Sequence, residues 1–187
     1  VYENQYGKNT ADWSYLGRLE FGSLAPYQLP DQTEELLILK VQQKKLPWFS
    51  KEKREVPFGL LVRTPTHQVI AFRGTVVSME WIQNSFFLQK PLPGEEAIKV
   101  HGGFLDTFQS VWEHSKHPLV NRLDSSLPLI ITGHSLGGAV AQLTALKLKA
   151  HQPTLITFGA PRVGNPEFVQ HYNKTIKKSY RIVNGFD

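Results

Sequence analysis

The sequence predicts an α/β domain, a mostly parallel β-sheet with helices on both faces. Three observations carry that prediction. Short apolar runs alternate with stretches of helical periodicity through the second half of the chain. A pair of strand-like runs, Phe58–Arg63 and Gln68–Phe72, flanks the turn Thr64-Pro65-Thr66-His67. At Ser135 an apolar run passes through a glycine-rich turn straight into a helical pattern.

The elements follow in order. Residues 1–40 carry weak signals, and Glu35 to Val41 suits a helix or a strand. The hairpin-like pair comes next and leads into Arg73-Gly74-Thr75. Over 104–116, Phe104, Leu105, Phe108, Val111 and Trp112 recur at three- and four-residue steps and share a helical face. Leu127 to Thr132 reads as a buried strand, and Ala139, Val140, Leu143, Leu146 and Leu148 as an amphipathic helix. Thr154 to Phe158 is a further strand, a polar helix follows Asn165, and Tyr180 to Val183 is the last strand. The 187 residues suit one domain.

Composition excludes several classes of function. With 41% hydrophobic and 20% charged residues the chain is globular, and no apolar run reaches the roughly 18 residues of a membrane span. The absence of Cys removes disulfides, thiol nucleophiles and Cys-based metal sites, and leaves the redox compartment open. The start, Val1-Tyr2-Glu3-Asn4, lacks an initiator Met and a signal-peptide pattern, which points to a fragment or a processed chain. Of the formal charge of +5, much sits between Lys40 and Val56. Six basic residues (Lys40, Lys44, Lys45, Lys51, Lys53, Arg54) face Glu52 and Glu55 there, 6 − 2 = +4. That stretch reads as a solvated loop, or, with Trp48 and Phe49 beside it, as attracted to an anionic lipid surface. No nucleic-acid motif accompanies the basic residues.

The chemistry concentrates at Gly133-His134-Ser135-Leu136-Gly137, a G-x-S-x-G pattern between a strand and a helix. A serine hydroxyl is an effective nucleophile only when presented to substrate beside a base. A sharp strand-to-helix turn lifts it out of the sheet, leaves no room for Cβ atoms at the flanking positions, and aims backbone N–H groups at a developing oxyanion. Ser135 is thus the candidate nucleophile.

With the neighbouring motifs, the chain resembles the class 3 lipase family, the fungal triacylglycerol-lipase type of α/β-hydrolase. Ala71-Phe72-Arg73-Gly74-Thr75, Val100-His101-Gly102-Gly103-Phe104, Thr132 to Gly138, Thr157 to Asn165 and Arg181 to Asp187 occur in the family's order. The resemblance covers about residues 56–187, and it implies the α/β-hydrolase fold. It further implies that Thr75 forms the oxyanion hole with the backbone N–H of Leu136, and that Asp187 is the triad acid. The family's catalytic histidine lies beyond that acid, a position matched by none of the seven histidines, so the fold is expected to be incomplete at its C-terminus. These 187 residues alone should be nearly inactive and the full-length protein active. Residues 76–89 resemble the family's lid, an amphipathic helix bearing Trp81, Ile82 and Phe86, which would uncover the serine at a lipid surface or would simply pack as a fixed helix.

The resemblance implies a two-step hydrolysis of acylglycerol esters, as in lipid catabolism, with no cofactor or metal. Phospholipid and feruloyl-type esters, an acyltransferase, and a lipase-like scaffold that binds lipid or protein without turnover remain open. A lipid ester substrate and peripheral contact with a lipid surface are the expected partners, without a transmembrane segment. Secretion accords with the resemblance; the compartment and oligomeric state are not set by the sequence.

Overall fold

The computed structural model describes residues 33–44, 53–74 and 88–183. Eight strands are β1 (Glu35–Lys44), β2 (Lys53–Arg63), β3 (Gln68–Phe72), β4 (Gln89–Leu92), β5 (Glu95–His101), β6 (Leu129–His134), β7 (Thr154–Phe158) and β8 (Lys178–Ile182). Three α-helices are α1 (Gly102–Arg122), α2 (Leu136–Lys147) and α3 (Pro166–Thr175). The central sheet runs β1-β2-β3-β6-β7-β8, and β4 and β5 form a separate hairpin. The first two pairings are antiparallel and the next three parallel.

Pleat alternation sorts the strand residues into two sets. Leu39, Leu61, Ile70, Phe72, Ile131 and Leu155 are almost fully buried in one cluster, to which α1, α2 and α3 contribute Phe104, Leu105, Val140, Leu143, Phe168 and Tyr172. The alternate positions Ile38, Leu60, Val62 and Ala71 form a small separate cluster to which no described helix contributes a residue. The expected helices on both faces are therefore observed on one face among the described residues. No described helix is long and apolar enough to cross a membrane.

The structure decides one local reading and corrects two. Glu35–Val41 is strand, and β1 extends to Lys44. The basic stretch from Lys40 to Val56 is not one loop. Both its ends belong to β1 and β2, whose register sets Lys40 opposite Pro57 and Gln42 opposite Glu55, and Lys40 reaches Glu55 diagonally in a 3.3 Å ion pair. Helix α2 is not amphipathic: nine of its twelve residues, Leu136 to Ala141 and Leu143 to Ala145, are buried. It passes between α1 and the strands β3, β6 and β7, so its polar face has little water left.

The segment between β7 and α3 is tied to β5 by backbone bonds, His101 N–H to the Val163 carbonyl and Asn165 N–H to the Lys99 carbonyl, each at 2.9 Å, and by the Asn165 side chain. Asn165 Oδ1 accepts from the backbone N–H groups of Phe168 and Lys99, each at 3.0 Å, and its Nδ2 donates to the Ala97 carbonyl at 2.9 Å. It thereby caps α3 and extends the edge of β5. Asn165→Ala removes all three bonds, and at partly exposed positions we expect a loss of about 2 kcal/mol. A melting temperature lower by about 4–8 °C in calorimetry would match that loss, and an unchanged one would refute the clip.

Candidate active site

Strand β6 ends at His134 and α2 begins at Leu136, leaving Ser135 alone to make the turn. Its backbone has φ 50° and ψ −122°, a conformation that costs a residue with a Cβ about 1–3 kcal/mol. The surroundings hold it there. Ser135 N–H donates to the Phe158 carbonyl at the end of β7 (3.0 Å), and its own carbonyl accepts from Gly138 and Ala139 at 2.9 and 3.2 Å.

Two glycines make the turn sterically feasible. A Cβ on Gly133 would collide with the Gly137 carbonyl, and one on Gly137 would collide with the carbonyls of Arg73 and Phe72. Helix α2 therefore starts in direct backbone contact with the end of β3. Gly138 continues the packing against Ala160, which follows β7.

Serine at the head of a helix usually accepts a hydrogen bond from the first turn, but Ser135 makes no side-chain cap bond. Its hydroxyl is half-buried and not consumed by the helix. Leu136, 4% exposed, is the first helical residue, and an N–H in the first turn has no intrahelical acceptor. That donor and the positive end of the helix dipole lie one residue from the hydroxyl, an arrangement suited to an oxyanion. The site lies at the carboxyl ends of parallel strands, where ligands of open α/β sheets bind.

Arg73 follows β3 and is 5% exposed, with its guanidinium 6.0 Å from the Phe58 ring centroid. Burial draws its pKa below the ordinary arginine value, but an arginine keeps its charge at neutral pH. Its backbone N–H donates to the Phe58 carbonyl at 3.0 Å, which fixes the chain just past the strand.

The described histidines are placed as follows. His101 is 6% exposed with its ring 4.2 Å from that of Phe104. His67 Nδ1 lies 2.9 Å from Thr66 Oγ1, and His114 Nδ1 lies 2.6 Å from the Ser110 carbonyl. His134 is exposed and its ring faces Gly74. Among the described residues no three His, Cys, Asp or Glu side chains converge on a metal position. Of the residues singled out in the sequence, Ser135 and Leu136 come together as described; Thr75, Trp81, Ile82, Phe86 and Asp187 lie outside the described residues. Sequence reading passed over the β4–β5 hairpin, whose Leu88 carbonyl binds the N–H of Gly102 at 2.8 Å. Its one clear signal was Pro93-Gly94, with Gly94 at φ 84° in the turn.

Comparison with known proteins agrees with this geometry. The family described as Lipase (class 3) matches residues 69–187. Among relatives, a secreted mono- and diacylglycerol lipase 1 of Fusarium solani is 33% identical over 123 residues, covering 64% of this chain and 37% of that protein. A chloroplastic phospholipase A(1), DAD1, of Arabidopsis thaliana is 37% identical over 142 residues, covering 64% of this chain and 32% of that protein. The structure of Rhizomucor miehei triacylglyceride lipase superposes with a TM-score of 0.63 at 28% identity, over 92% of this chain and 69% of that chain. The chain spans about a third of the length of these curated relatives.

Proposed function

The chain belongs to the class 3 lipase family, and from that premise we propose that the full-length protein is a serine carboxylester hydrolase acting on acylglycerols. The observation that carries the proposal is Ser135, held at positive φ at the head of α2 with its hydroxyl uncommitted.

In the proposed reaction Ser135 Oγ attacks the ester carbonyl while its proton passes to a histidine oriented by Asp187. The negative charge on the carbonyl oxygen is met by the Leu136 N–H and by Thr75. Collapse expels the alcohol, which takes the proton, and leaves an acyl-serine. Water, losing a proton to the same histidine, attacks the acyl carbon, and the fatty acid departs as Ser135 regains its hydrogen. The proposal assigns the role of base to none of the seven histidines of this chain. In this proposal Trp81, Ile82 and Phe86 supply apolar contact with a lipid surface, and the lipid ester is the substrate. No cofactor or metal takes part in these steps.

Hydrolysis of p-nitrophenyl esters of short and long acyl chains by the full-length protein tests the reading. Preference for long chains, together with fatty-acid release from triolein, is the expected result. Fatty-acid release from phosphatidylcholine but not from triolein would move the substrate to phospholipids, as the name of the Arabidopsis relative suggests. A folded protein that hydrolyses neither would leave a lipid- or protein-binding scaffold.

A further inference from the structure

Between the nucleophile turn and strand β8 lie three residues at the end of β7, Phe158, Gly159 and Ala160. Two contacts tie them to the turn. The Phe158 carbonyl accepts the Ser135 N–H at 3.0 Å. Ala160, 1% exposed, abuts Gly138, where an added Cβ would lie 2.7 Å from the Ala160 Cβ and 3.4 Å from its Cα. Gly138 belongs to the first turn of α2 and donates its N–H to the Ser135 carbonyl at 2.9 Å. A shift of Ala160 is therefore felt by the same helical turn that presents Leu136.

The same three residues are held from the other side by β8. Gly159, whose φ of 51° turns the chain away from β7, donates its N–H to the Ile182 carbonyl at 2.9 Å. One residue on, the Ala160 carbonyl accepts from the Arg181 guanidinium, with Nη2 at 2.9 Å. A hydrogen bond from a charged donor is roughly twice as strong as one between neutral groups. Arg181 can make this bond because it stands in register with Thr157, and neighbouring parallel strands point register partners to the same face. Thr157 is 2% exposed, on the face where Leu155 joins the core. The Arg181 side chain starts on that face and reaches the Ala160 carbonyl just past the end of β7. Residues 158–160 are thus a shim, fixed to β8 on one side and pressed on the nucleophile turn on the other. With glycine at 138 the pressure passes between close backbones, and no side chain can rotate aside to absorb it.

We propose that Arg181 is a positioning residue, its guanidinium holding Ala160 against Gly138 so that the first turn of α2 keeps the Leu136 N–H and the Ser135 hydroxyl in their reacting arrangement. The proposal rests on the hydrolase reading above and gives Arg181 no contact with substrate. The Leu136 N–H acts on charge that develops in the transition state, so a loosened hold lowers kcat and leaves KM nearly unchanged. Lysine can donate to the same carbonyl, but as a point charge on a flexible stem without the planar fork, and so replaces arginine only in part.

The test uses the full-length protein, p-nitrophenyl esters, and a phosphonate ester that reacts with the serine through a tetrahedral phosphorus. Arg181→Met, which keeps an apolar stem and loses the donors, should lower kcat and the phosphonylation rate about tenfold, with KM within about twofold. Arg181→Lys should recover part of both rates. All rates are read well below each variant's melting temperature, where a protein that is merely less stable keeps its kcat. Gly138→Ala pushes on Ala160 from the side of the turn, so its effect on kcat should shrink in an Arg181→Met background, where Ala160 is free to yield. Wild-type kcat in Arg181→Met, equal impairment in the Met and Lys variants, or strictly additive effects of Gly138→Ala and Arg181→Met would each overturn the positioning role. Absence of Ser135-dependent turnover in the unsubstituted protein would instead overturn the hydrolase reading, and the two failures are told apart by that control.

Discussion

Ser135→Ala in the full-length protein is expected to lower kcat toward p-nitrophenyl esters by about 10⁴- to 10⁶-fold with no loss of thermal stability. The drop is that large because nothing else at the turn supplies an acyl acceptor, and the remaining donors can only assist attack by water. The unchanged stability follows from the backbone. Ser135 sits at φ 50° because β6, α2 and the Phe158 carbonyl hold it there, and its hydroxyl caps nothing. Alanine keeps the same Cβ and the same strain. Ser135→Gly removes the Cβ, so it should be equally inactive yet more stable than wild type by about 1 kcal/mol. A chemical-denaturation series on the three proteins, read beside their kcat values, checks both halves. If Ser135→Gly were no more stable, the turn would not be strained; if Ser135→Ala kept its rate, the nucleophile would lie elsewhere.

Gly137→Ala is the second large effect, and it concerns folding. The added methyl would have to share space with the Arg73 carbonyl and would stand 2.5 Å from the Phe72 carbonyl oxygen. Both are backbone atoms of a central strand end, so no side-chain rotation relieves the clash. Either β3 separates from α2 or the turn opens, and we expect a loss above about 4 kcal/mol, enough to unfold many domains. Gly94→Ala is the matched control. A Cβ there meets nothing within 4 Å, and the only penalty is its φ of 84°, about 1 kcal/mol. Urea midpoints of the two variants should therefore differ widely, and similar midpoints would remove the steric account of the turn.

Sequence reading succeeded where burial imposes a period or a motif imposes a geometry. Thr154–Phe158 was delimited to the residue because its apolar run is bounded by Pro153 and Gly159. The β2–β3 hairpin and β6 were recovered for similar reasons. Glu35–Val41 stayed ambiguous because a short apolar run fits a buried strand and a buried helix equally. The β4–β5 hairpin went unseen because every residue from Gln89 to Ala97 is partly or fully exposed, and only Ile98, Val100 and His101 of β5 turn inward. Helix α1 outran its expected end at residue 116 and continues past Pro118 to Arg122. Proline forfeits one helical bond, and burial of Leu119 on the core side offsets that loss. The nucleophile turn was legible because glycine spacing encodes its crowding. The contact of His134 with Gly74 was not, since no spacing rule reports which side chain leans on a glycine across the sheet.

The strand order carries a consequence for synthesis. In the central sheet each strand pairs with the one made before it, from β1 through β8, with β4 and β5 set aside as their own hairpin. No later strand has to be inserted between two already joined. A nascent chain leaving the ribosome can add strands to a single growing edge, in the direction in which domains generally fold during synthesis. The turn at Ser135 falls midway in that process: β6 can dock on β3 as soon as it emerges, but the carbonyl that receives the Ser135 N–H arrives only with Phe158 of β7. Vectorial assembly thus lays down the sheet first and locks its most constrained residue about two dozen residues later.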